Sequence, residues 1–436
     1  MGMQAVIAQH TLSGTVTAVA SKSVAHRMLM LAALCDAPTC INCNTTSKDI
    51  DATVGCLEAL GARVCRSAGR LDVYPRGSNA DTGCLLDCGE SGSTLRFFLP
   101  VVCALGCRAS LTGHGRLSER PLSPLYEELR SHGCDLSPQG VFPLTVSGRL
   151  EGGTYVLPGN VSSQYATGLM LAAPLLDRPT EILVSEPVQS APYLQLTIDA
   201  LKTFGVAVHA DGAERDGTAY RRFYIDPAEG RLASPGVCTV EGDWSNAAFW
   251  LAADALGSTV AVRGLSATSA QGDRAILSAL ASFGAQVSQT DGAVSVRADA
   301  LHAATLDVGN IPDLVPPIAA VAACAQGTTR LTNAGRLRLK ESDRLETVTA
   351  TLRAFGVDAH IDGDELHVTG GSPLVGGTVD AANDHRIAMM GSVLAAHAAG
   401  QTVIVGADCV SKSYPAFFND FEGLGGIVRG LSEGSD

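Results

Sequence analysis

Leu57-Glu58-Ala59-Leu60-Gly61-Ala62-Arg63-Val64 reads as the last turn of a helix, a stop, and the start of a strand. Leu57 and Leu60 fall on one helical face, Gly61 suits the left-handed position that ends a helix, and an alternating stretch follows. The same phrase, Leu-x-x-(apolar or His)-Gly ahead of a short alternating strand, returns at Gly133, Gly205, Gly284, Gly356 and, more degenerately, Gly425. Successive glycines stand 72, 72, 79, 72 and 69 residues apart. A second phrase, Gly257-Ser-Thr-Val, Gly327-Thr-Thr-Arg and Gly400-Gln-Thr-Val, keeps nearly the same period in the second half. Six copies make two sets of three. A unit this long has room for two helices and several strands, so it is a packed subdomain rather than a solenoid turn. The 436 residues exceed what one hydrophobic core usually serves, which also points to two domains.

Composition narrows the functional classes. Hydrophobic residues make up 46% of the chain without an uninterrupted apolar run of transmembrane length, and the opening residues MGMQAVIAQHTLSG have no charged segment ahead of an apolar one. The expectation is a cytoplasmic protein with no membrane partner. A net charge of −13 argues against nucleic acid, and it requires any anionic substrate to meet a locally positive cleft. Ten of the 13 cysteines precede residue 135, in no regular disulfide framework. Cys40 and Cys43 form a CxxC without a second pair at metal spacing, so the cysteines are expected to be reduced, mostly buried thiols, with no metal.

Charge gathers where helices are expected to begin. In Leu339-Lys340-Glu341-Ser342-Asp343-Arg344-Leu345, two cations and two nearby carboxylates precede Val348, Leu352 and Phe355 at helical spacing. Glu341, Ser342 and Asp343 are candidate caps, while Lys340 and Arg344, four apart, share a face. Ser21-Lys22-Ser23 opens a helix carrying Arg27. ESGSTLRFF places Gly92 between serines, baring backbone N–H groups, and Arg116 and Arg120 follow, with Pro121 suited to the next helix's first turn. Ser162-Ser163-Gln164 and Ser190-Ala-Pro-Tyr193 open two more helices. Asp243, Asp313 and Asp384-His385-Arg386 stand at further starts. Lys22, Arg27, Arg120, Lys340, Arg344, Arg386 and Lys412 all fall at such starts in this reading, a pattern suited to a multiply charged anion.

SKSVAHR, GESGSTLRF, RLSERPL, SSQYATGLMLAAPL, PDLVPPIAA, LKESDRL and NDHRIAMM, in this order over essentially the whole chain, resemble the 5-enolpyruvylshikimate-3-phosphate synthases. The resemblance implies transfer of the enolpyruvyl group of phosphoenolpyruvate to the 5-hydroxyl of shikimate 3-phosphate, with release of phosphate and no cofactor or metal. It implies an α/β (α+β) fold of two similar domains, each three βαβαββ units in an inverse α/β barrel-like arrangement. Residues 20–238 would form one domain, and 1–19 with 239–436 a second, discontinuous one. The active site would lie in the cleft between them and be assembled by closure. A monomer acting on small molecules, with glyphosate as a competitive inhibitor, is expected.

By position, the resemblance places Lys22, Ser23, Arg27, Ser162, Ser163, Gln164, Ser190, Tyr193, Asp313 and Lys340 on shikimate 3-phosphate. It places Lys22, Gly92, Arg120, Gln164, Arg344, Arg386 and Lys412 on phosphoenolpyruvate. Asp313 would take the 5-hydroxyl proton, Glu341 or Lys22 would protonate C3, and Lys22, Lys412, His385 and the arginines would stabilise the departing phosphate. Two positions depart from the family pattern. Val19-Ala20 replaces a frequent Pro-Gly, and Glu90 stands where Asn is common, near the phosphoenolpyruvate groups. The related UDP-N-acetylglucosamine enolpyruvyl transferases usually carry a cysteine five residues before the arginine matching Arg120; here that position is Gly115. RNA 3′-phosphate cyclases share parts of the repeat but act on a polyanion that suits a −13 chain poorly. A non-catalytic anion-binding scaffold would not need Asp313 and Glu341 among seven cations.

Overall fold

The structure is a computed structural model that describes residues 3–77 and 83–430. It divides into two compact units, Lys22–Val240 and Met1–Ser21 with Glu241–Asp436. The first contains α1 (Lys22–Leu34), α2 (Lys48–Ala59), α3 (Gly92–Leu105), α4 (Leu125–Ser131), α5 (Ser163–Ala172) and α6 (Ala191–Thr203). The second contains α7 (Trp244–Ala255), α8 (Ile276–Ser282), α9 (Val315–Cys324), α10 (Arg344–Ala354), α11 (His385–His397) and α12 (Phe417–Gly423). Three four-stranded sheets accompany each set among the described residues.

The repeat is visible in both backbone and topology. Gly61, Gly133, Gly205, Gly284, Gly356 and Gly425, which end the even-numbered helices, have φ of 91°, 96°, 81°, 94°, 79° and 89°. A side chain would be strained at each, which is why the phrase keeps glycine. Every sheet consists of one parallel pair extended by two antiparallel strands, as in Cys84–Asp87, Ala109–Thr112, Leu144–Gly148 and Cys134–Leu136. Three sheets recruit distant chain. Val237–Thr239 lies parallel to Thr39–Asn42, and Ser13–Thr17 lies parallel to Thr259–Arg263. Gln4–Ala8 runs antiparallel to both Gln401–Val405 and Ile427–Arg429. The N-terminal segment thus completes two sheets of the second unit, which explains why that unit is discontinuous.

The odd-numbered helices form the centre of each unit. All 12 residues of α7 are buried, as are 12 of the 13 in α11. α7 packs on α9 and α11, and α5 packs on α1 and α3. A helix apolar on every side is a core helix, and the part of it left to meet a ligand is its end. The even-numbered helices bury one face: α10 buries Leu345, Val348 and Leu352, with Phe355 just beyond. All 13 cysteines are free. Among the described residues, no helix is long and apolar enough to cross a membrane, and no group of three or more His, Cys, Asp or Glu is placed to hold a metal.

Several local expectations are corrected. Pro121 is not in a helix; α4 starts at Leu125, and the Pro121 carbonyl accepts from Arg96 Nη2 and the Tyr165 hydroxyl. Arg120 follows the 3-10 turn Gly115–Glu119, and Lys412 ends the 3-10 turn Ala407–Lys412, so neither cation is at a helix start. Lys340 precedes α10, whose N-cap is Asp343, accepting from the Glu346 amide. Tight turns between strand and helix carry these groups, a device with weak helical periodicity.

Candidate functional site

In the Lys22–Val240 unit, Lys22 is the first residue of α1, and its Nζ lies 2.7 Å from Asp49 Oδ2 on the first turn of α2. One turn on, Arg27 is 2% exposed. Its guanidinium donates to Thr197, Thr167 and the Ser23 and Tyr193 carbonyls, tying α1 to α5 and α6. Burial lowers its pKa to about 10, still charged at neutrality. Ser162 caps α5 by accepting from the Gln164 amide, and Ser163 is the helix's first residue. Ser190 precedes α6 with φ 57°, a left-handed turn in which its hydroxyl makes no capping bond.

Gln164 joins α5 to α3: its Oε1 accepts from Arg96 Nη1 at 2.7 Å and its Nε2 donates to Ser93 Oγ at 2.9 Å. Arg96, which was not among the expected site residues, also lies over the Tyr165 ring. Gly92 opens α3 behind its cap Ser91. A β-carbon at Gly92 would stand 2.6 Å from Arg120 Nη1, so the absence of a side chain lets that guanidinium rest on the helix start. Arg116, by contrast, is a surface residue paired with Glu119.

Glu90, one of the two departures from the family pattern, meets Gly115 here. A β-carbon at Gly115 would lie 2.6 Å from Glu90 Oε2, and Gly115 has φ 56°. The Glu90 carboxylate therefore fills the space that a side chain at position 115 would occupy, and the backbone there disfavours any side chain.

In the other unit, one carboxylate collects three cations. Asp313 Oδ1 lies 3.1 Å from Lys340 Nζ and 2.8 Å from Arg344 Nη1, and Oδ2 lies 3.2 Å from Arg386 Nη2. Burial raises the proton affinity of Asp313, but Arg386, Lys340 and Arg344 more than reverse this and hold its carboxyl well below the usual carboxylate range. The Lys340 pKa is lowered as well, in its case chiefly by burial, which disfavours the charged ammonium.

Arg344 is fully buried at the start of α10. Nε and Nη2 grip both oxygens of Asp384, Nη1 reaches Asp313, and Nη2 reaches Glu341 Oε2 at 2.6 Å. These bonds take four of its five N–H groups. Asp384 also caps α11, accepting from the Arg386 amide, and accepts from Ser342 Oγ. It was legible as a cap but not as the anchor of Arg344. His385 is buried at the first position of α11. Just before it, Ala382 and Asn383 both have positive φ, 48° and 56°. That strained turn aims the Asn383 carbonyl at Lys412 Nζ, 2.7 Å away.

Each unit therefore presents cations braced by carboxylates and amides beside helix ends, a chemistry for holding phosphate and carboxylate groups. The family model described as EPSP synthase (3-phosphoshikimate 1-carboxyvinyltransferase) matches residues 6–421. The chain belongs to that family. Among its relatives, the 3-phosphoshikimate 1-carboxyvinyltransferase of Clostridium kluyveri is 38% identical, with 97% of each chain covered. The protein of the same name from Methanocorpusculum labreanum is 36% identical, covering 98% of this chain and all of its own. The structure of EPSP synthase from Acinetobacter baumannii shares the fold, with a TM-score of 0.78 at 24% identity over 98% of this chain and 100% of the other.

Proposed function

We infer that this protein transfers the enolpyruvyl group of phosphoenolpyruvate to the 5-hydroxyl of shikimate 3-phosphate and releases inorganic phosphate. The observation that carries the reading, within a chain of this family, is the Asp313 carboxylate set among Lys340, Arg344 and Arg386. Asp313 accepts the proton of the 5-hydroxyl as that oxygen bonds to C2 of phosphoenolpyruvate, and Glu341 or Lys22 supplies a proton to C3. The resulting tetrahedral intermediate then loses phosphate from C2 and a proton from C3, restoring the double bond. A carboxylate held this acidic is a poor base by itself. Anionic substrates drawing on the same three cations raise its proton affinity at the moment it is needed.

Lys22, Ser23, Arg27, Ser162, Ser163, Gln164, Ser190, Tyr193, Asp313 and Lys340 serve shikimate 3-phosphate in this reading. Arg27 acts through the Ser23 and Tyr193 backbone that it holds. Lys22, Gly92, Arg120, Gln164, Arg344, Arg386 and Lys412 serve phosphoenolpyruvate. Lys22, Lys412, His385 and the arginines offset charge on the leaving phosphate. The protein works as a cytoplasmic monomer, and glyphosate competes with phosphoenolpyruvate. Gly115, blocked by Glu90, speaks against UDP-N-acetylglucosamine chemistry that relies on a cysteine there.

The test is phosphate release with phosphoenolpyruvate plus shikimate 3-phosphate, run beside UDP-N-acetylglucosamine as the alternative acceptor. Turnover with the sugar nucleotide alone overturns the reading. A variant at the glycine turn probes the phosphoenolpyruvate assignment: Gly92→Ala drives a methyl into the Arg120 guanidinium. It should raise KM for phosphoenolpyruvate roughly tenfold, equivalent to about 1.4 kcal/mol. KM for shikimate 3-phosphate should stay near wild type, and equal rises in both would remove Gly92 and Arg120 from phosphoenolpyruvate binding.

A further inference from the structure

Behind the Asp313 cluster lies a carboxyl group for which neither the capping pattern nor the proposed chemistry has a use. Asp273 sits in the 3-10 turn Gly272–Ala275 and is 4% exposed. Its Oδ2 accepts from Ser245 Oγ at 2.5 Å, while Oδ1 is buried without a hydrogen-bond partner among the described residues. Leaving a carboxylate oxygen unpaired in the interior costs stability, so the group calls for an explanation.

The surroundings supply one. The turn packs on α7, which also touches α11 and the Pro312–Leu314 turn that carries Asp313. The charged groups acting on Asp273 are Asp313, Arg386 and Asp243, the N-cap of α7; Ser245 adds its hydroxyl. Lys340 and Arg344 stand behind Asp313, and Arg274 turns away to the Ala267 carbonyl. Two residues earlier, Gln271 bonds Glu241, the Gly242 carbonyl, the Trp244 amide and Ser21, so the turn has little freedom to move.

We propose that Asp273 is a positioning residue for enolpyruvyl transfer, a third carboxyl group whose charge acts on Asp313, directly and by offsetting Arg386, rather than on either substrate. The proposal rests on the reading of the reaction given above. Burial first, then repulsion by Asp313, raises the Asp273 pKa to about 6 against the pull of Arg386. Below that value Asp273 is neutral, and Asp313 faces its cations alone. Above it, the Asp273 charge offsets part of Arg386 and raises the proton affinity of Asp313, making it a better base. The ionised form is therefore the active one, and it is also the form that costs stability.

The experiment compares pH profiles of kcat for wild type, Asp273→Asn and Ser245→Ala, each with both substrates saturating. Substrate phosphates titrate in the same range, so the differences between variants carry the result. Asp273→Asn should lose the rise in kcat centred near pH 6 and fall about three- to tenfold at pH values above about 7. Its KM values should stay within about twofold, and its Tm above about pH 7 should equal or exceed that of wild type. Ser245→Ala removes a hydrogen bond to the charged form and should move the rise to higher pH. Profiles of both variants that superimpose on wild type overturn the proposal, as does an Asp273→Asn loss of kcat that is uniform with pH. If Asp273→Asn does not fold, the Ser245→Ala shift decides. A wild type without turnover overturns the underlying reading itself.

Discussion

Arg344→Ala should remove about 3–5 kcal/mol of unfolding free energy near neutral pH, the cost of stripping the partner from buried charge. Three carboxylates depend on this one guanidinium: Asp384, fully buried, and Asp313 and Glu341, each largely so. Without it, the Asp384 carboxylate is left to the Ser342 hydroxyl and the Arg386 amide, both uncharged donors. Acid should reveal the same dependence. The folded Asp313 carboxyl is held below its unfolded value, near 3.9 for an ordinary aspartate. Its stabilisation is thus complete above that value and disappears as pH falls through the folded pKa. Losing one of its three cations brings the folded value up, so acid unfolding of the variant should begin at higher pH. Arg344→Lys keeps the charge but not the two-oxygen grip on Asp384, and should recover only part of the loss. Denaturant titration at neutral pH and an acid series measure both effects. An Arg344→Ala protein within about 1 kcal/mol of wild type would mean that the three carboxylates have other support.

The period of the fold was legible because a helix that ends in a left-handed residue accepts little besides glycine. Six such ends at nearly constant spacing leave few architectures. What pairs with what was not legible. Val237–Thr239 is three residues long and finds Thr39–Asn42 across nearly the full length of its unit, and Gln4–Ala8 joins strands at the opposite end of the chain. Nothing local distinguishes such a strand from any alternating segment, since its register is set by its partner.

The site divides along the same line. Lys340, Arg344 and Asp313 stood out because charge at the edge of an apolar helix has few structural uses, and the structure brings all three together. Their helical phasing was misread: Lys340 reaches Asp313 from an extended residue before the cap, not from the face of α10. Arg96, Asp49 and the anchoring role of Asp384 went unseen because their partners lie far away in sequence. Gln164, Lys22 and Arg344 respectively meet them only after the helices pack. Asp273 left even less trace, being one acidic residue in a short turn.

Glu341→Gln should lower kcat by roughly 10² to 10⁴ while leaving both substrates bound, if Glu341 is the acid that protonates C3. Arg344 fixes the carboxylate through Oε2 at 2.6 Å, and glutamine keeps the shape and an oxygen for that bond while losing the exchangeable acid. Asp313→Ala should behave differently. In the proposed assignment it deletes an acceptor for the hydroxyls of shikimate 3-phosphate, so binding should weaken by about 1–3 kcal/mol along with turnover. Isotope exchange separates the proton donor from a bystander. In heavy water, reversible addition should place deuterium at C3 of the enolpyruvyl group at a rate set by protonation of that carbon. Wild type should exchange readily, and Glu341→Gln far more slowly. Should Glu341→Gln turn over and exchange at near wild-type rates, the proton at C3 comes from elsewhere, and Lys22, already paired with Asp49 at 2.7 Å, becomes the donor to test.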